Sequence, residues 1–95
     1  MIARVAHFEG QPDRFTTGHA YRYVLDAIGA ADGFIAAYHL AGPTGSLSIS
    51  IWADEAAMRA GEAAVGEARE RLQIVGSPPD RVETYTVAKS LSAEG

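Results

Sequence analysis

Two histidines within apolar segments, His7 and His39, are the residues of this 95-residue chain best suited to acid–base chemistry. A neutral imidazole accepts a proton near physiological pH, so we expect each of them to be a candidate catalytic proton acceptor. Either could instead be a hydrogen-bonded structural histidine. The third histidine, His19, falls on the polar side of a helical pattern. Because no His-x-His or His-x-x-x-His spacing occurs, we expect no metal site.

The only tryptophan, Trp52, is the residue best suited to holding an aromatic ligand. It could form one wall of a pocket whose other members are Ser48, Ser50 and Tyr85, which makes these four the candidate substrate-binding residues. It could also be a core residue that fills the space between a sheet and a helix, with its indole N–H bonded locally. The two roles are compatible, and the sequence does not choose between them. No serine of the chain lies in a Gly-x-Ser-x-Gly motif, the turn that exposes a serine nucleophile.

Hydrophobic patterning places these residues on a β-α-β-β-α-β succession of elements. Apolar runs predict four strands, over residues 2–9, 33–40, 46–52 and 81–88. Helical spacing predicts one helix over residues 14–30 and a second that begins after Asp54, a good N-cap. This order is the ferredoxin-like arrangement of the α+β class, with four antiparallel strands in one sheet and both helices on one face. We expect a single domain over residues 1–88 and a flexible tail over residues 89–95.

The third predicted strand has two contrasting sides. Alternation separates three aliphatic side chains from three serines and a tryptophan, namely Leu47, Ile49 and Ile51 from Ser46, Ser48, Ser50 and Trp52. One side must meet the helices, and a solvated opposite side would carry charged and long polar side chains. Neither side carries them, which predicts that the sheet of a second copy covers the free face. The sequence therefore predicts a homodimer without showing which face the helices cover.

Charge and composition exclude several classes of protein. Eight basic residues against twelve acidic ones give a formal net charge of -4, without the basic stripe of a nucleic-acid-binding protein. The chain has no cysteine, so it forms neither a disulfide nor a thiolate metal site. The first apolar run is too short to cross a bilayer and lacks the features of a signal peptide. We therefore expect a cytoplasmic protein with neither nucleic acid nor membrane among its partners.

The chain is similar to the antibiotic-biosynthesis-monooxygenase-like domains of the dimeric α/β-barrel superfamily. The resemblance covers residues 2–88 and rests on the order of elements, on Gly33-Phe34 at the start of the second strand, and on Ser-Ile-Ser-Ile-Trp52 followed at once by Ala-Asp-Glu-Ala-Ala-Met58. It implies a homodimer whose two sheets pack face to face into a barrel, with a pocket between the sheet and helices of each subunit. It also implies that Trp52 corresponds to the pocket tryptophan of quinone-forming and haem-degrading monooxygenases.

Two residues typical of the family are missing from this chain, and their absence limits the activity and the cofactors that we expect. Both groups of monooxygenases use a pocket asparagine, and this chain contains none; Ser48 stands where the quinone-forming enzymes carry it. The haem-ligating histidine of the second helix is also missing, so we expect no haem and no other cofactor. The resemblance then implies a monooxygenase-like protein that binds a small apolar or aromatic compound and oxidises or isomerises a quinone-like substrate without a cofactor. The alternative is a non-catalytic homodimeric binding or interaction module.

Overall fold

The structure, a computed structural model, describes residues 1–9, 26–71 and 79–91. Its strands and long helix are β1 (Ile2–Glu9), β2 (Phe34–Ala41), β3 (Gly45–Trp52), the helix Glu55–Arg71 and β4 (Arg81–Thr86). Residues 26–29 are also helical, where the first predicted helix should end. The rest of that predicted helix, residues 14–25, lies outside the described residues. No helix within the described ranges is long and apolar enough to span a bilayer.

The four strands form one antiparallel sheet in the order β2-β3-β1-β4. β2 and β3 form a hairpin, whose turn is closed by a 2.9 Å hydrogen bond from the Gly42 N–H to the Gly45 carbonyl. β1 lies between β3 and β4, so the connection from β3 to β4 has to cross the sheet, and the helix Glu55–Arg71 makes that crossing. The predicted ferredoxin-like α+β fold is confirmed.

Cross-strand register assigns the strand residues to two faces of the sheet. The helix packs on the face that carries Trp52 and the serines of β3, because the Trp52 ring lies against Gly61 of the helix. On the same face Arg4, the cross-strand partner of Ser50, forms an ion pair with Glu62 of the helix. We call this the helix face. The opposite face, which carries Leu47, Ile49 and Ile51, is called the open face.

The core lies between the helix face and the helix. Its buried apolar members are Ala6, Phe8, Trp52, Met58 and Ala68. One side of the helix is turned toward the sheet, because positions 57, 61, 64, 65 and 68 are all buried or half-buried. Most of these positions carry alanine or glycine, so the helix lies close to the sheet and the large ring of Trp52 fills much of the space between them.

The helix begins at the predicted position. Asp54 Oδ1 accepts the backbone N–H of Ala57 at 2.8 Å, which is the bond expected of an N-cap. Gly33 has φ of 82°, in the left-handed region that favours glycine, and its carbonyl accepts the N–H of Ala53 at 2.8 Å. This bond ties the start of β2 to the segment that joins β3 to the helix. It therefore fixes the helix against the end of the sheet that carries Trp52.

The open face carries apolar side chains that no described element covers. Tyr38, Leu40 and Tyr85 have relative exposures of 58%, 48% and 52%. The aliphatic residues of β3 on this face are half-buried among their neighbours. A sheet that faces water normally alternates apolar positions with polar ones that point outward. Here the aliphatic side of β3 faces outward, and the side with serines faces the helix.

Candidate functional site

Four of the six predicted site residues lie together on the helix face: Trp52, Ser50 and Ser48 of β3, and His39 of β2. His39 is the cross-strand partner of Ser48, and the Cβ atoms of such pairs lie about 4.5–5.5 Å apart. The four side chains include no carboxylate, ammonium or guanidinium group. Arg4, which shares this face, is already paired with Glu62 at 3.1 Å. The set is therefore one large ring beside three neutral or weakly basic polar groups.

Trp52 is held from three directions. Its indole N–H donates to Ser50 Oγ at 2.9 Å, and its ring meets that of Phe34 edge to face with centroids 5.5 Å apart. On the third side it packs on Gly61, where a Cβ would lie 2.7 Å from the ring carbons Cζ2 and Cζ3. The side chain is 2% exposed. The local hydrogen bond expected of a core tryptophan is thus present, and the orientation of the ring is fixed.

His39 places an imidazole on the same face. Both of its ring nitrogens are buried, so they are screened from bulk water. Its cross-strand partner Ser48 provides a hydroxyl beside it. An imidazole and a hydroxyl in this arrangement can both form hydrogen bonds with the same polar substituent of a ligand. The imidazole can also transfer a proton to or from that substituent.

Tyr85 lies on the open face, away from the other predicted substrate-binding residues. It pairs with Ala3, whereas the next residue of β1, Ile2, pairs with Trp52. Successive residues of a strand point to opposite faces, so the sheet separates the two rings. The expectation that Tyr85 and Trp52 hold one ligand between them is therefore corrected.

The two candidate proton acceptors are separated in the same way. His7 pairs with Leu47 and lies on the open face, whereas His39 pairs with Ser48 and lies on the helix face. They cannot act on the same ligand within one sheet. Of the two, only His39 shares the helix face with Trp52.

His7 belongs to a hydrogen-bonded cluster on the open face that joins β1 to β4. We call it the Glu83 cluster; its members are His7, Arg81, Glu83 and Tyr85. Glu83 Oε1 lies 2.7 Å from His7 Nε2 and 3.1 Å from Arg81 Nε, and Oε2 accepts the Tyr85 hydroxyl at 2.5 Å. Arg81 Nη2 lies 3.3 Å from His7 Nδ1 and 3.4 Å from His7 Nε2, so its position does not distinguish the two ring nitrogens. A carboxylate can only accept, so the contact with Glu83 favours a proton on His7 Nε2.

The cluster shifts the titration of two of its members. The hydrogen bond from Tyr85 holds the pKa of Glu83 below its ordinary value, and the bonds from His7 and Arg81 act in the same direction, against the effect of burial. The same bond to Glu83 raises the pKa of Tyr85, since it would place a phenolate beside a carboxylate. At neutral pH the cluster therefore contains a charged carboxylate and a protonated phenol.

Two recesses are lined by described residues. One, of about 330 Å³, opens at the β2–β3 turn beside His7 and Thr44. The other, of about 290 Å³, lies between residues 26–31 and the helix and is lined mainly by alanine. Neither of these two is lined by Trp52. Within the described ranges no group of three or more His, Cys, Asp and Glu side chains could hold a metal ion.

Sequence reasoning missed two residues that the structure makes prominent, Glu83 and Gly61. A signal existed for Glu83, because Arg81, Glu83 and Tyr85 alternate along one strand and must share a face. No local signal exists for the close contact of Gly61 with Trp52, since a glycine within an apolar helical stripe does not indicate what lies opposite.

Comparison with known proteins gives a fold and no closer relationship. No family model matches the sequence, and no curated protein matches it. Among solved structures, SnoaB, a cofactor-independent oxygenase from Streptomyces nogalater, superposes with a TM-score of 0.69 over 95% of each chain, at 18% identity. ActVA-Orf6, a monooxygenase from Streptomyces coelicolor solved with nanaomycin D, has a TM-score of 0.63 over 96% of this chain and 90% of its own, at 22% identity.

A third neighbour carries a different ligand on the same fold. MhuD, solved with manganese protoporphyrin IX in its active site, has a TM-score of 0.69 over 97% of this chain and 99% of its own, at 12% identity. The structural neighbours are thus proteins of the antibiotic-biosynthesis-monooxygenase type, as the resemblance in sequence implied. At these identities the likeness establishes the fold, and the fold accommodates more than one kind of ligand.

Proposed function

We propose that this protein binds a small apolar or aromatic compound between the helix face of its sheet and its helices, and oxidises it as a cofactor-independent monooxygenase. The observation that carries the proposal is the composition of the helix face around Trp52, where a buried imidazole and two hydroxyls accompany the ring. Such a lining suits a largely apolar ring system with a few polar substituents. The fold shared with the oxygenases SnoaB and ActVA-Orf6 supports the same reaction class.

Each residue of the set has a role that follows from its chemistry. Trp52 stacks on the ring of the ligand, and the Ser48 hydroxyl forms a hydrogen bond with a polar substituent. Ser50 accepts the indole N–H and can still donate its own proton. His39 accepts a proton from an acidic C–H or O–H of the substrate, and molecular oxygen oxidises the resulting anion. In balanced form, a ring CH₂ and O₂ become a ring carbonyl and one water, so no external reductant is required.

The burial of Trp52 favours a second candidate function, a non-catalytic homodimeric binding or interaction module. The ring is 2% exposed and is in contact with Phe34, Ser50 and Gly61. If these neighbours and the helices fill all the space around it, Trp52 serves the core alone. The two candidate functions therefore differ in one measurable property, which is whether a ligand can reach the ring.

We also propose that the protein acts as a homodimer joined through the open face, as the uncovered Tyr38, Leu40 and Tyr85 suggest. The absence of a cofactor, of nucleic-acid partners and of membrane partners remains a prediction from the sequence. A cytoplasmic location and the single domain over residues 1–88 remain predictions as well.

Fluorescence of the single tryptophan tests the ligand site. Titration with a panel of quinones, anthrones and flavonoids should quench it saturably, because stacking on the indole requires an accessible space beside it. Trp52→Phe should leave the protein folded with a modest loss of stability. Trp52→Ala should cost about 3–5 kcal/mol if the ring serves the core alone. The absence of saturable quenching, together with unfolding of Trp52→Phe, would favour the non-catalytic module.

Oxygen uptake tests the catalytic part of the proposal. With a compound that quenches Trp52, His39→Gln should slow oxygen consumption while the compound still binds. His7→Gln is the matched control, because it makes the same chemical change on the opposite face of the sheet. Equal rates in the two variants would contradict the role of His39, and binding without any oxygen uptake would support a binding protein instead.

A further inference from the structure

Tyr85 combines an exposed ring with a hydrogen-bonded hydroxyl. The ring is 52% exposed on the open face, while the hydroxyl donates to Glu83 Oε2 at 2.5 Å. Covering an unpaired hydroxyl with another protein surface costs free energy, because the group loses its bond to water. Here the hydroxyl is bonded within its own strand. The ring of Tyr85 can therefore be buried against a partner without leaving a polar atom unpaired.

The Glu83 carboxylate is prepared for burial in the same way. One oxygen accepts from His7 and Arg81, and the other accepts from Tyr85. The guanidinium of Arg81 balances its charge directly. A charge removed from water is tolerated when it is paired and its hydrogen bonds are made, and both conditions are met before any partner arrives.

We propose that Tyr85 is the anchor by which the open face packs against a second copy of this chain, and that Glu83 is the positioning residue that holds its ring. The inference rests on the homodimer proposed above and names the residues that set its affinity. Two chains of net charge -4 repel each other overall. Around Tyr85, however, the negative charge of Glu83 is paired with the positive charge of Arg81. Glu9 lies at the margin of this region, 3.9 Å from Arg81. Two such faces can therefore meet without strong electrostatic repulsion.

The size of the open face explains why an anchor is needed. Four strands about 4.8 Å apart and about eight residues long outline a face of roughly 500 Å². Two such faces would bury about 1,000 Å² in total, which is the lower limit for a specific interface. In interfaces a few aromatic side chains contribute most of the binding free energy. A ring whose rotamer is already fixed loses less entropy on association, which favours Tyr85 in that role.

A double-mutant cycle on the dimer dissociation constant tests the inference. Tyr85→Ala should raise the Kd by at least about 30-fold, the size of effect typical of an interface anchor. Tyr85→Phe and Glu83→Gln should each raise it about five- to tenfold, because each weakens the bond that holds the ring. The Kd of the double variant should be no higher than that of Tyr85→Phe alone, since the two changes affect the same hydrogen bond. Sedimentation analysis over a dilution series gives the dissociation constants of the wild type and of the four variants.

The helix face provides a matched control. Glu62 accepts from Arg4 Nε at 3.1 Å, the same distance that separates Glu83 from Arg81 Nε, so Glu62→Gln removes a similar ion pair away from the open face. Its Kd should equal that of the wild type, and circular dichroism should show every variant folded. If Tyr85→Ala does not fold, the conservative Tyr85→Phe and Glu83→Gln variants carry the test.

The possible failures are distinguishable. A wild-type chain that is monomeric at every concentration would overturn both the homodimer and the anchor. A wild-type dimer whose Kd is unchanged by Tyr85→Phe and Glu83→Gln would overturn the anchor alone. A Glu83→Gln effect that persists undiminished in the Tyr85→Phe background would show that Glu83 acts through His7 or Arg81, and would also overturn it.

Discussion

In this small core the helix packs on the sheet largely through the contact between Trp52 and Gly61. The indole is held by Ser50 and by the edge of Phe34, so it has little freedom to move away from the helix. Any side chain at position 61 would have to displace either the ring or the helix. The orientation of Trp52, and with it the shape of the candidate site, therefore depends on a residue that carries no functional group.

This contact predicts opposite outcomes for two glycines of the same helix. Gly61→Ala should destabilise the fold by about 1–3 kcal/mol, because the added methyl group overpacks the space occupied by the Trp52 ring. Gly66→Ala should stabilise it by about 0.5–1 kcal/mol, because a Cβ there meets nothing within 4 Å and alanine has the higher helix propensity. Urea unfolding followed by Trp52 fluorescence measures both. Equal effects in the two variants would contradict the close contact.

At the scale of elements, the pairing of β1 with β4 assembles the Glu83 cluster. His7 pairs with Arg81, so residues that lie more than seventy positions apart in sequence come within hydrogen-bond distance. β4 is an edge strand, and the cluster provides it with side-chain links to β1 in addition to the backbone ladder. The attachment of this edge should therefore depend on the charge of Glu83.

The lowered pKa of Glu83 predicts how stability changes with pH. A carboxyl whose folded pKa lies below its unfolded value stabilises the fold above the unfolded pKa and loses that contribution as the pH falls through the folded pKa. The unfolding free energies of wild type and Glu83→Gln should therefore differ at about pH 7 and converge as the pH falls below the ordinary range of carboxyl groups. Both are measured by urea unfolding at one protein concentration.

Tyr85→Phe provides the control for this pH dependence. The Tyr85 hydroxyl is the largest cause of the lowered pKa of Glu83, so its removal should reduce the pH-dependent difference between glutamate and glutamine at position 83. A difference that is constant from neutral to acidic pH would contradict a titration at Glu83. So would a pH dependence that Tyr85→Phe leaves unchanged.

At the scale of the whole molecule, the sheet has one face closed by the helix and one that no described element covers. The uncovered face carries apolar side chains of β2, β3 and β4, namely Tyr38, Leu40, Leu47, Ile49, Ile51 and Tyr85. Contiguous exposed apolar surface of this kind is typical of an interface. The uncovered apolar surface therefore favours an assembly in which two open faces meet.

Light scattering after size exclusion should give twice the mass of one 95-residue chain. Leu40→Lys should shift the protein toward the monomer, because it places a charge among apolar side chains of the open face. Ala60→Lys, at an exposed position of the helix, should leave the mass unchanged. A monomeric wild type, or a Leu40→Lys variant that stays fully dimeric, would contradict an interface on this face.

The sequence by itself determined the elements and their order. Apolar runs predicted the strands, and Asp54 predicted the start of the helix, because both signals depend on residues close together in the chain. The separation of Ser48, Ser50 and Trp52 from the aliphatic side of β3 follows from the alternation within that strand. The coherent part of the candidate site, those three residues, was therefore predictable from local pattern.

Only the tertiary structure decided which face the helix covers and which residues share it. Alternation defines two sides of a strand but does not identify the buried one, and the residues that decide it, such as Gly61 opposite Trp52, are distant in sequence. The register of β1 against its two neighbours then separates Tyr85 from Trp52 and His7 from His39. A shift of one residue in that register would exchange the faces, and it is set by the combined packing of the sheet and helix.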